Sequence, residues 1–128
     1  MTYIDYRYIL CIDDLYMEVN MIDKSLISGS TTMLILKLLE SKDMYGYEMI
    51  EELQKQSNQT FDLKAGTLYP LLHGLEKNGC VTVYESQAEN GRKRKYYQLT
   101  KNGKKILNNK RDEWDSFTEA VNQVLNKG

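Results

Sequence analysis

Between Lys64 and Gly79 the chain interleaves two kinds of residue. Leu68, Leu71, Leu72 and Leu75 recur at i, i+3, i+4 and i+7, the spacing of one apolar helix stripe. Lys64, Thr67, Tyr69, His73 and Lys77 fall on the other face, where they offer hydrogen-bond donors and small apolar contacts. Downstream, Arg92, Lys93, Arg94 and Lys95 are four consecutive cations directly after an Asn90-Gly91 turn signal. A polar helix face suits base edges in a duplex groove, and a cationic hairpin suits phosphates. Together these elements are what a winged-helix DNA binder requires.

The distribution of charge agrees with this better than its total, which is -1. Residues 1–63 carry 5 Lys/Arg against 11 Asp/Glu, residues 64–111 carry 11 against 3, and residues 112–128 carry 1 against 4. A block of +8 inside an acidic chain is a localised electrostatic footprint. A solvated surface would also account for a run of cations, but this run coincides with a hairpin and adjoins a polar-faced helix.

The remaining elements position these two. A helix runs through Thr32–Glu40 from an N-cap at Ser28 or Ser30; it is apolar nearly all round and so should be buried on several sides. Ser41–Met44 is a break. A second helix spans Tyr45 to about Ser57, with Met49, Ile50 and Leu53 inward. The third runs from Lys64 to Asn78 and closes on Gly79 in the left-handed conformation. Pro70 lies inside it and withholds an amide from the Gly66 carbonyl, which predicts an irregular or bent start. Gly66 allows close backbone approach, for instance to a phosphate. Strands follow at Cys80–Glu85 and Lys93–Leu99, with a longer connection between them, and Thr100 caps a last helix reaching Asn126. Along that helix Leu107, Trp114, Phe117, Val121 and Val124, with Lys110, form a heptad seam longer than one small domain covers, which predicts a homodimer.

The fold class is therefore α+β and mainly helical: a winged helix-turn-helix with a two-stranded wing and a long C-terminal dimerisation helix. Residues 21–100 form the DNA-binding domain and 101–128 the dimerisation helix. Residues 1–20, rich in Tyr and Ile, are either an extra element packed on a partner or a leader appended before Met21. They lack the basic start and continuous apolar segment of a signal peptide, and no 18-residue apolar run exists, so a cytoplasmic protein without a membrane span is expected. Cys11 and Cys80 lie too far apart for a metal or redox motif, and His73 has no ligand partners, so no metal or cofactor is expected. No nucleophile–base pair or phosphate loop points to an enzyme. A winged helix used only for protein contacts is the alternative function; a cationic wing counts against it.

From about Met21 the chain resembles the PadR-like winged-helix transcriptional regulators, in the short subfamily with a single C-terminal helix. The matching residues are Tyr45-Gly46-Tyr47-Glu48, Gly66-Thr67-Leu68-Tyr69-Pro70, Leu75-Glu76-Lys77-Asn78-Gly79 and the segment from Gly91 to Thr100. The resemblance implies a homodimer on an inverted-repeat operator, usually a repressor released by a small molecule, with many members controlling drug efflux or phenolic-acid detoxification. The polar helix face and the cationic hairpin themselves place candidate DNA contacts at Lys64, Gly66, Thr67, Tyr69, Pro70, His73 and Arg92–Lys95; solvated helix surface is the other reading of Tyr69 and His73, or packing on the wing for Tyr69. In multidrug-sensing members a Trp of the C-terminal helix lines a flat pore at the dimer centre and stacks on planar ligands. Trp114 matches that position; filling the dimer core is its other reading. Two departures stand out. Residues 1–20 have no counterpart in the family pattern, and the acidic residue one turn beyond the pore Trp is Thr118 here, which removes a basis for preferring cationic drugs. Asp112, Glu113 and Asp115 are the nearby acids.

Overall fold

The computed structural model describes residues 24–127. Residues 1–20, expected to form an extra element or leader, lie outside that range. In chain order the elements are α1 (Lys24–Ser41), β1 (Met44–Tyr45), α2 (Gly46–Gln56), α3 (Ala65–Lys77), β2 (Val81–Gln87), β3 (Lys93–Leu99) and α4 (Lys101–Leu125). This is the α+β winged-helix architecture expected, with one strand more.

Helix α1 is already running at Lys24, so neither Ser28 nor Ser30 is its N-cap. Ser30 and Thr31 are instead buried within it. Serine costs a helix interior only a few tenths of a kcal/mol relative to other polar residues, so packing overrides the local capping preference. Ile35, Leu36, Leu38 and Leu39 are all buried, which requires neighbours on more than one side, and α1 packs against α2, α4 and β3. Each such side chain contributes about 1.5–3 kcal/mol when fully removed from water.

The segment expected as a plain break contains β1. Met44 pairs with Tyr97 and Tyr45 with Tyr96, giving a three-stranded antiparallel sheet in the order β1-β3-β2. In α2, Met49 and Leu53 are buried and Ile50 packs against the same core. Glu48 reaches back to the Tyr45 amide (3.4 Å) and pairs with Lys42 (2.8 Å), which fixes where the helix begins. The turn into α3 uses two non-glycine residues at positive φ, Asn58 (53°) and Gln59 (67°). The Gln59 amide donates to the Gln54 carbonyl (2.7 Å) and the Phe61 amide to the Ser57 hydroxyl (2.9 Å), holding that conformation.

Helix α3 continues through Pro70 without interruption. Its first turn is tightened: the Lys64 carbonyl accepts from both Thr67 (3.0 Å) and Leu68 (2.9 Å). Leu68, Leu72 and Leu75 enter the core, and Gly79 (φ 76°) reverses the chain as expected. Strand β2 runs two residues beyond Glu85, to Gln87. Residues 88–92 close the hairpin, with the Gly91 amide on the Ala88 carbonyl (2.9 Å) and the Arg92 amide on the Asn90 side chain (3.0 Å). Gly91 adopts φ 84°, open only to residues that tolerate the left-handed region. The Thr100 hydroxyl then accepts from the Gly103 amide (2.9 Å) to cap α4.

Candidate nucleic-acid interface

Helix α3 presents Lys64, Gly66, Thr67, Pro70 and His73 to solvent, the face opposite its leucines. A side chain added at Gly66 would meet nothing within 4 Å, so the backbone there is open to a ligand's approach. Lys64 is not a free cation: it pairs with Asp62 at 3.1 Å, with both side chains exposed.

Tyr69 sits on the flank of α3 and leans onto the start of α2. Its ring lies over Gly46, where any side chain would collide with it. Burial raises the Tyr69 hydroxyl above the ordinary phenol pKa, and nearby Tyr47 adds to the shift. Tyr47 itself is 62% exposed. Tyr45, Tyr47, Tyr69 and Tyr97 line one open cleft of about 550 Å³ between the helices and the wing, together with all four wing residues from Arg92 to Lys95.

The wing divides its cations between two faces, because successive strand residues point in opposite directions. The pairs Val81–Leu99, Val83–Tyr97, Glu85–Lys95 and Gln87–Lys93 lie on the face that is buried at its base by Val81 and Tyr97. Lys93 and Lys95 therefore extend that face outward, beside the cleft. Thr82–Gln98, Tyr84–Tyr96 and Ser86–Arg94 lie on the other face. There Arg94 is half-buried, its guanidinium 4.3 Å from the centre of the Tyr45 ring. Of the expected quartet, Arg92, Lys93 and Lys95 are exposed, and Arg94 is engaged within the chain.

Tyr96 and Tyr97 face opposite ways along β3: Tyr97 is buried and Tyr96 packs on the outer face. Burial raises the Tyr97 hydroxyl pKa, with Tyr69 and Glu76 adding to it. Tyr45 and Tyr47 are the residues for which sequence reasoning assigned no role. The available signal was a hydrophobic-aromatic Tyr-Gly-Tyr at a helix start, where a glycine leaves room for a partner ring.

Trp114 belongs to a different region. It is 40% exposed and borders a groove of about 300 Å³ between α1 and α4, together with Met33, Leu34, Lys37, Arg111 and Asp115. Its ring lies 6.2 Å from that of Phe117. Phe117, Val121 and Val124 are exposed along the same helix. Leu107, grouped with them by heptad spacing, is instead fully buried in the chain's own core. The Thr118 hydroxyl turns back onto the Trp114 and Asp115 carbonyls (2.9 and 3.1 Å). Among the described residues no group of three or more His, Cys, Asp or Glu is placed to hold a metal, and no helix is long and apolar enough to cross a membrane.

Comparisons with known proteins converge on one family. Residues 35–109 match the model of the transcriptional regulator PadR-like family. A PadR family transcriptional regulator from Eggerthella lenta superposes with a TM-score of 0.77 at 26% identity, over 93% of this chain and 99% of its own. A PadR family regulator from Clostridium difficile is 39% identical with a TM-score of 0.65, over 75% and 98%. In sequence, transcriptional regulator YqjI of Escherichia coli is 27% identical over 73% of this chain, which spans 43% of YqjI. An uncharacterised protein of Lysinibacillus sphaericus is 35% identical over 82% of this chain and 96% of its own.

Proposed function

Because the chain belongs to the PadR-like family of transcriptional regulators, we propose that it is a homodimeric repressor that binds an inverted-repeat operator and is released by a planar aromatic effector. The observation that supports the DNA-binding reading is the cleft where Tyr69, on the flank of α3, meets the wing residues Arg92–Lys95. In this reading Thr67, Pro70 and His73, on the open face of α3, meet base edges, with Gly66 giving them room. Lys64 and Tyr69 flank them, and Arg92, Lys93 and Lys95 neutralise phosphates. Base contacts then set specificity and the wing sets general affinity.

The exposed row Trp114, Phe117, Val121 and Val124 supports the dimer. A second copy covers it by laying the far end of its α4 into the groove between α1 and α4. Trp114 borders that groove, so an aromatic effector stacking there acts on the dimer contact itself. Lys37 is paired with Glu40 at 2.8 Å, and Arg111 stands against Asp115, so the charges around the groove balance and favour a neutral ligand. Such a ligand weakens operator binding by no more than its differential affinity for the two dimer shapes.

The deciding experiment is duplex binding as a function of salt, first to fragments from the gene's own upstream region and then to random DNA. The expected result is preferential binding that weakens steeply with salt. Lys93→Ala and Lys95→Ala should weaken all duplexes alike and lower the salt slope by about 0.9 for each phosphate no longer neutralised. Thr67 or His73 substitutions should instead cost about 1–3 kcal/mol of discrimination. No duplex binding even at low salt would overturn the reading in favour of a protein-contact module.

A further inference from the structure

We propose that Arg94 is a positioning residue of the wing: by stacking on Tyr45 it holds β3 against the helical body so that Lys93 and Lys95 face the DNA, and it makes no phosphate contact itself. This rests on the DNA-binding reading above.

Little backbone ties the wing to the rest of the chain. Strand β1 contributes two residues, and its pairing ends at Tyr45–Tyr96. Beyond Tyr96 the outer half of β3 pairs with β2 alone, and a two-stranded ribbon by itself is marginally stable and free to twist. Side chains take over at that point. On the outer face Tyr45 meets Tyr96 edge-on, with ring centres 5.6 Å apart. Tyr96 stacks on Tyr84 at 5.7 Å with 15° between the planes. The Tyr84 hydroxyl donates to the Asp43 carboxylate at 2.6 Å. Asp43 and Tyr45 both belong to the short segment joining α1 to α2. The stack therefore leaves that segment at Asp43, crosses both wing strands and returns to it at Tyr45.

Arg94 extends the arrangement one pleat farther out. It is two residues before Tyr96 on the same face, and its guanidinium covers the Tyr45 ring at 4.3 Å. The contact thus reaches the part of β3 that no β1 residue pairs with. Lys93 and Lys95, on either side of Arg94, lie on the opposite face of the strand, while the stacked Arg94 and Tyr45 form part of the wall of the same cleft. A cation stacked on one face of the strand in this way fixes the direction of the two cations on the opposite face.

The test compares wild type, Lys93→Ala, Arg94→Ala, Arg94→Lys, Tyr45→Leu and the Arg94→Ala/Tyr45→Leu double variant. Operator affinity is measured over a range of salt, and amide hydrogen exchange of residues 92–96 is measured in the free protein. Arg94→Ala is expected to weaken binding by about 2- to 5-fold, the strength of an exposed cation–ring contact, with the salt slope unchanged. Lys93→Ala should lower the slope by about 0.9. The double variant should bind no worse than Tyr45→Leu. Arg94→Lys, which keeps a cation over the ring, should recover most of the affinity, and wing amides should exchange faster in Arg94→Ala and Tyr45→Leu. A slope that falls by about 0.9 in Arg94→Ala whatever stands at position 45 would make Arg94 a phosphate contact and overturn the proposal. So would unaltered affinity. If wild type binds no DNA, the functional reading falls separately. Hydrogen exchange then decides the lock: unchanged rates in Arg94→Ala overturn it, and faster rates support it.

Discussion

Gly46, the first residue of α2, lies beneath the ring of Tyr69 on α3. A methyl group at Gly46 would meet the Tyr69 hydroxyl, with the ring's Cζ at 2.6 Å and Cε1 at 3.0 Å. The two residues stand in separate segments of the family pattern, Tyr-Gly-Tyr-Glu and Gly-Thr-Leu-Tyr-Pro, and this contact joins them. Gly46→Ala should therefore displace the Tyr69 ring, whose far end is part-exposed and can swing outward, and destabilise the fold by about 1 kcal/mol, the low end of overpacking costs. Denaturant unfolding of Gly46→Ala, Tyr69→Ala and the double variant checks it. The Gly46→Ala cost should largely vanish once Tyr69 is gone, and strictly additive costs would contradict the contact.

Thr100 makes a two-way connection. Its hydroxyl accepts from the Gly103 amide and donates to the Gly79 carbonyl at 2.6 Å. Thr100→Val should cost about 1–3 kcal/mol, since it removes an N-cap and leaves a carbonyl short of a partner. Thr100→Ser should stay close to wild type. Equal unfolding midpoints for the Val and Ser variants would refute this role.

Trp114, Phe117, Val121 and Val124 lie along one side of α4 and are 37–75% exposed in a single chain. Phe117→Glu combined with Val121→Glu should abolish self-association, because two carboxylates would have to be buried in an apolar contact. Sedimentation velocity should find dimeric wild type and a monomeric or aggregated variant. A monomeric wild type at micromolar concentration would remove the basis for the dimer.

Trp114→Ala should abolish binding of planar aromatic ligands while leaving operator affinity within a few fold. Quenching of wild-type Trp fluorescence and ligand-induced shifts in melting temperature report the binding. If several classes of dye and drug neither quench nor shift, Trp114 fills the dimer contact and has no sensing role.

Among the described residues, three tyrosines hold their protons more tightly in the folded state than free tyrosine does. Burial does this for Tyr69 and Tyr97, and for Tyr84 the main cause is the hydrogen bond to Asp43. A raised folded pKa contributes stability that is complete below the unfolded value of about 10 and is lost as pH rises through the folded value. Stability should accordingly fall in the alkaline range, and an ultraviolet titration should show a late-ionising group of phenols. Tyr84→Phe should remove one of them. Simultaneous ionisation of every tyrosine at about pH 10 would contradict these environments.

Much of this arrangement is legible in the sequence, where signals are local. The Thr100 cap, the reversal at Gly79, the inward leucines of α3 and the strand from Lys93 to Leu99 all depend on residues within one turn or one pleat. The features that sequence reading missed depend on distant partners. A two-residue strand at Met44–Tyr45 has no period to detect, and it forms because Tyr96 and Tyr97, some fifty residues later, supply the ladder. Ser28 and Ser30 look like caps, yet α1 is already running at Lys24 and Ser30 lies buried inside it. Heptad spacing places Leu107 and Trp114 in one seam without revealing that the first is covered by its own chain. The run Arg92–Lys95 shows its alternation plainly, but not that an aromatic ring waits on only one side of it.

The double bond made by Thr100 has a mechanical consequence. Helix α4 is 25 residues long, which at 1.5 Å per residue makes a rigid arm of about 37 Å. Near its root the arm rests on the body through Gly103, where no side chain fits against the Cys80 carbonyl, and through buried Leu107. At its base, Thr100 pins it to the carbonyl of Gly79, two residues beyond the end of α3. The arm and α3 thus meet at one anchor point. A tilt of about 5° at that point sweeps the far tip through about 3 Å. A load applied near Val124 therefore acts on the Thr100–Gly79 anchor through a lever of about 37 Å.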